Sequence, residues 1–175
     1  MEDNFQEPAS TKQVVMKWGL ILGLVSVVLT LITYMSGTVN NAIQWLGLIP
    51  TIGAIVLAHN EFKKSGDGYM SYGKGLGIGT LLNLVAGVIS SVFAYVYLSF
   101  VDGSYLDLIK EQQITQMEEQ GLSDQQIEQA LSFSEFFMSP IFFLIAGIFF
   151  AVFFGFVLSL IVSAFTKNND PTLEI

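Results

Sequence analysis

What most constrains this chain is a set of long apolar runs that carry no charge. The hydrocarbon core of a bilayer is about 30 Å thick, so a spanning helix needs roughly 20 apolar residues in succession. Four stretches read as such spans: 14–35, broken only by Lys17 near its start, then 42–58, 75–101 and 140–165. The second is short and contains Pro50, which is expected to kink it by losing a hydrogen bond and pressing on the carbonyl of Leu46. Composition agrees. Charged residues are 13% of the chain, too few to cover a water-facing surface. The first run is longer than a signal-peptide core and lacks a small-residue cleavage site after it, which predicts an uncleaved span.

Lysine placement predicts orientation. Lys12 and Lys17 precede the first span, Lys63, Lys64 and Lys74 lie between the second and third, and Lys167 follows the fourth. The opposite side has only Lys110, so the cation bias places both termini in the cytoplasm. Aromatic residues fit the same two boundaries, with Trp18, Tyr69 and Tyr72 at the inner one and Tyr34, Trp45, Tyr95 and Tyr97 near the outer one. The predicted fold class is an all-α membrane protein: four transmembrane helices with an extracytoplasmic amphipathic helical hairpin between the third and fourth. Residues 1–11 read as a disordered cytoplasmic tail, 12–101 as three spans with their connections, 102–139 as the hairpin, 140–165 as the last span and 166–175 as a second cytoplasmic tail.

In lipid, helices associate through close approach, so small residues should recur every four positions on a contact face. Gly147, Ala151, Gly155, Ser159 and Ser163 form such a stripe in the fourth span, Gly75, Gly79, Asn83 and Gly87 in the third, and Gly19 and Gly23 open one in the first. The phenylalanines of the fourth span, including Phe149, Phe150, Phe153 and Phe154, fall on the other faces and are expected to meet lipid or a partner. Asn83 is the one strongly polar side chain deep in a span, and its amide is expected to bond across to another helix. A contact to a substrate or ion is the competing reading.

The segment 102–139 holds eight acids against Lys110, which accounts for −7 of the net charge of −8. Ser104 with Asp107, and Ser123 with Gln126, are spaced as helix-starting capping boxes, and Gly121 is placed to stop the first helix. Glu111, Glu118, Glu119, Asp124 and Glu128 are the candidate partner-facing residues on this hairpin; the plainer reading is a solvated cap over the bundle mouth.

Several chemistries are excluded. There is no cysteine and a single histidine, His59, so disulfides, thiolate chemistry, histidine-rich metal sites and a nucleophilic triad have no residues to build them. His59 is expected at the inner boundary as an interfacial side chain. The acidic balance and absence of arginine argue against nucleic acid. The run from Gly68 to Gly75 nearly matches a phosphate loop, but Gly75 stands where Ser or Thr must follow Lys74. Lys63 and Lys64 alone are too few for a polybasic lipid site. No enzyme activity, metal or cofactor is predicted; the expected partners are the lipid bilayer and either a second copy or another envelope protein.

Trp18-Gly-Leu-Ile-Leu-Gly23, Gly68-Tyr-Met-Ser-Tyr-Gly73 and Gly121-Leu-Ser-Asp-Gln-Gln-Ile-Glu-Gln-Ala130, together with the order of spans, carry a resemblance over essentially the whole chain. The sequence resembles the bacterial membrane family catalogued as domain of unknown function 4199, common in Bacteroidota. That resemblance implies a bacterial inner-membrane protein and brings no activity or site residues with it. The functional expectation is therefore a non-enzymatic assembly or interaction component of the cell envelope, with a small oligomeric transporter or channel component as the alternative.

Overall fold

The computed structural model describes residues 10–37 and 45–169, and among them every extended element is helical. Helix α1 (Thr11–Met35) starts at Ser10, whose hydroxyl accepts the Gln13 N–H at 3.2 Å while the Gln13 side chain accepts the Ser10 N–H at 2.8 Å. Two orphan donors at the helix start are thus satisfied reciprocally. Helix α2 is Leu48–Ser65. Helix α3 (Tyr72–Val96) is capped by Ser71 and continues into a wider π-helical turn, Tyr97–Val101, closed by the Asp102 N–H on the Tyr97 carbonyl at 2.9 Å. Helices α4 (Ser104–Glu119) and α5 (Asp124–Ser134) follow, then a single 3-10 turn and α6 (Pro140–Thr166). Pro140 occupies the first position of α6, where its missing N–H costs nothing.

The turn between α4 and α5 follows the sequence pattern closely. Gly121 has φ +77°, its N–H reaches the Glu118 carbonyl at 2.9 Å, and the Leu122 N–H reaches Met117 at 3.1 Å. That paired closure needs a left-handed residue, and glycine adopts it without a Cβ penalty. At the start of α4 the expectation was different. Ser104 is already inside the helix, and Asp102 supplies the acceptor, taking the Ser104 N–H at 2.9 Å.

Helix α3 is central. Helices α1 and α6 each pack along it and hardly touch one another, while α2 wedges against all three near one end. The fully buried apolar side chains gather there: Val14 from α1, Ile55 and Ala58 from α2, Ile78 and Leu82 from α3, and Met70 from the preceding turn. Lys12, Lys17, Lys63, Lys64, Lys74 and Lys167 lie at this lysine end, and α4 and α5 lie at the acidic end. Outward faces remain strongly apolar, with Leu24 64% exposed, Ile145 60% and Phe149 62%. Phe149 stacks on Phe153, and Phe150 on Phe154, along the outside of α6. Apolar surface this continuous is stable only against an apolar solvent.

Among the described residues three helices are long and apolar enough to cross a membrane: α1, α3 with its π turn (Tyr72–Val101), and α6. This is an all-helical membrane protein. Helix α2 is not one of the three, because its last turns carry His59, Glu61, Lys63 and Lys64. The expected second span, 42–58, begins in residues outside the described ones, as do most of the expected tails. The interruption expected from Pro50 is a break rather than a bend: Trp45 and Leu46 are helical, Gly47 is a turn, and Pro50 stands in the first turn of α2, where no intrahelical N–H bond is due.

Candidate functional site

Three arrangements follow from the helices: a small-residue seam, a polar clamp at the lysine end and a groove at the acidic end. The seam joins α3 to α6. A Cβ built on Gly75 would lie 3.0 Å from Ser163 Oγ, and one on Gly79 would meet Ser159. On Gly155 it would lie 2.6 Å from Asn83 Cγ; on Gly87 it would strike Ala151, and on Gly147 Ser91. Each step of four residues up α3 meets a step of four down α6, and every rung holds a single glycine. Gly19 and Gly23 do the same for α1, where a Cβ would come within 2.7 Å of Val85 Cβ and 2.8 Å of Ile89 Cδ1. Each of the nine helix-packing candidates thus lies at a close approach between helices. Ser91 was missed, because its glycine partner is on the other helix.

Asn83 behaves otherwise than expected. Its Nδ2 donates to the Gly79 carbonyl one turn back in its own helix, at 2.8 Å, rather than across to a neighbour. The facing position is Gly155, which offers no side chain, and α6's interior N–H groups are committed to its own helix. Ser159 likewise donates within its helix, to Gly155 at 2.6 Å, whereas Ser163 Oγ is buried with no partner among the described residues.

The clamp centres on His59, which is fully buried rather than interfacial. Its Nε2 is 2.9 Å from the Gly75 carbonyl, an acceptor only, so Nε2 carries a proton. Its Nδ1 is 2.7 Å from Thr166 Oγ1, and Lys63 Nζ donates to the Thr166 carbonyl at 2.8 Å. One imidazole therefore ties α2 to both α3 and α6. A two-residue antiparallel bridge, Met70 N–H to Asn168 O at 2.8 Å and the reverse at 2.9 Å, closes the same end. Nearby, Lys17 Nζ lies 2.8 Å from Glu61, which also accepts the Trp18 indole N–H at 2.9 Å. The Lys17 hydrogen bond is the main cause that holds the Glu61 carboxyl below its usual value, with burial opposing it and Trp18 assisting.

At the acidic end α4 and α5 diverge around an open groove of about 770 Å³. Its floor is apolar, made by Leu106 and Ile114 of α4, Ile127 and Leu131 of α5, and Met138. Its rim carries Asp107, Glu118, Asp124, Glu128 and Glu135 against the single cation Lys110. Of the five partner-facing candidates, Glu118, Asp124 and Glu128 line the groove; Glu111 and Glu119 are exposed but do not. Asp107 and Glu135 were not singled out from sequence. Their place on the rim depends on how α4 folds against α5, which the spacing within either helix does not state.

Among the described residues no group of histidine, cysteine or carboxylate side chains could hold a metal ion. Long apolar helices and a glycine-keyed seam define the class: a helical membrane protein built around close packing. The chain belongs to the family of proteins of unknown function DUF4199, whose profile matches residues 17–168. No curated protein and no solved structure matches it.

Proposed function

We propose that this protein is a non-enzymatic interaction component of the bacterial envelope, seated in the inner membrane as a four-span protein with both termini in the cytoplasm. In this reading α4 and α5 form an extracytoplasmic hairpin. The bias of six lysines at one end against one at the other supports that orientation. The observation that carries the function is the groove, an apolar floor under a rim of five carboxylates and one ammonium. A floor of Leu, Ile and Met side chains suits the apolar stripe of a helix, and the rim suits lysines or arginines flanking that stripe. The partner is accordingly a cationic amphipathic segment of another envelope protein.

The transporter or channel alternative drew on Asn83, Pro50 and the glycines of α3. Asn83 is satisfied within its own helix, Pro50 stands in a first turn, and Gly75, Gly79 and Gly87 abut α6. Asn83 and the glycines of α3 serve packing, which favours the interaction reading.

A photoreactive residue at Leu131 tests it in intact cells. The expected result is a defined protein adduct whose crosslinked peptide is basic and amphipathic, lost when Glu118→Lys and Glu128→Lys are combined. An adduct indifferent to those reversals, or lipid adducts alone, refutes the proposal.

A further inference from the structure

The lysine end holds a second feature, independent of the groove. Lys63 and Lys64 from α2 meet Lys167 just past the end of α6, around an open surface cavity of about 500 Å³. Asn60 and Asn168 contribute amides to the same wall, and among the described residues no carboxylate lines it. Sequence alone offered two lysines here; folding brings in a third from about a hundred positions away.

Three observations say what such a cavity fits. Its wall is fixed: Asn168 is bonded twice to Met70 through the backbone, its Nδ2 donates to the Gly68 carbonyl at 3.0 Å, and Lys63 is held on Thr166 at 2.8 Å. Its free cations are spare, since Lys64 and Lys167 have no ion pair or side-chain hydrogen bond among the described residues, whereas Lys17 is paired with Glu61. Its depth is set by α6, whose apolar run ends at Thr166, so the ammonium groups lie where hydrocarbon gives way to headgroups. Phe165, 86% exposed and lining the same cavity, adds an apolar face beside the charge. Cations beside an exposed apolar ring match a molecule that joins a phosphate to acyl chains.

We infer that this cavity binds the phosphate headgroup of an anionic phospholipid, with Lys64 and Lys167 as the exchangeable cations and Asn60 and Asn168 as amide donors. Phe165 lies along the upper acyl chain. Lys63 keeps its bond to Thr166 and contributes charge from behind.

The test uses the full-length protein in nanodiscs of phosphatidylcholine with graded phosphatidylglycerol, read by the lipid retained on native mass spectrometry. The wild-type protein is expected to retain phosphatidylglycerol selectively. Lys64→Gln with Lys167→Gln should weaken retention roughly 30-fold, about 5-fold for each lysine. Both side chains are exposed and the clamp stays intact, so thermal unfolding should not move. Lys12→Gln with Lys74→Gln removes the same charge at the same end outside the cavity, and should change retention less than 2-fold on the order of a remote screened charge. Equal losses in the two pairs would mean diffuse surface attraction and overturn the site. Displacement of the lipid by millimolar inorganic phosphate, with the same lysine dependence, would reassign it to a soluble anion and overturn the lipid.

Discussion

Substituting Gly79→Ala places a methyl where Ser159 already stands. The new Cβ would sit 2.9 Å from Ser159 Cβ and overlap its hydroxyl oxygen, whereas carbon pairs settle at about 3.5–4.0 Å. Either α3 and α6 separate by about 0.6–1 Å, or Ser159 leaves its rotamer and loses the 2.6 Å bond to Gly155. Overpacking of this kind costs about 1–3 kcal/mol, and alanine recovers up to about 1 kcal/mol of helix propensity. The net expectation is a loss of about 1–2 kcal/mol. Ser159→Gly alone should cost about 0.5–1 kcal/mol. In the double variant the methyl enters the space Ser159 vacated, so the pair should be no worse than Ser159→Gly by itself. That is a favourable coupling of about 1–2 kcal/mol. Reversible unfolding in mixed micelles, followed by far-ultraviolet circular dichroism, measures all four corners. Gly77→Ala is the control, since nothing lies within 4 Å of its added Cβ. Additivity within about 0.5 kcal/mol, or a Gly79→Ala variant as benign as the control, would refute the α3–α6 register.

Two further outcomes test other parts of the structure. Glu61 titrates below its ordinary value of 4.5 when folded, so its contribution is full above that pH and is lost as pH falls through the lower folded value. Lys17 is 54% exposed, which limits the effect to about 0.5 kcal/mol; acid unfolding of Glu61→Gln should lack this component, and an unchanged acid limb would show the pair contributes nothing. Because the chain has no cysteine, single introduced thiols report orientation: in intact cells an impermeant maleimide should label Glu119→Cys and spare Asp67→Cys, and the reverse pattern would invert the proposed topology.

Much of the architecture was legible because it depends on local periodicity. Apolar length marked α1, α3 and α6, Gly121 marked the end of α4, and spacing by four marked the stripes on α3 and α6. Phase between distant segments was not legible. Nothing in the spacing of either stripe states that Gly155 faces Asn83, so the expected cross-helix amide bond was replaced by one within α3. His59 was read as interfacial from its place at the inner boundary, yet it shares with Lys63 the face of α2 that packs against Gly75 and Thr166. For the same reason the third lysine of the cavity and the carboxylates of Asp107 and Glu135 emerged only when separate helices were brought together.

The one-glycine-per-rung seam also acts as a key against mis-threading. A stripe repeating every four residues invites a slip of one turn, which would preserve spacing and move α6 by about 6 Å. Here such a slip in one direction sets Gly79 opposite Gly155, leaving a gap, and Asn83 opposite Ala151, where neither can recede. In the other direction Gly87 faces Gly155 and Asn83 faces Ser159. Because α3 supplies the glycine at three rungs and α6 at two, each wrong alignment produces a hole and a collision at once. Translated into the history of the gene, a bulky change at one rung is survivable chiefly when its opposite shrinks, so the ten seam positions should drift in pairs rather than singly.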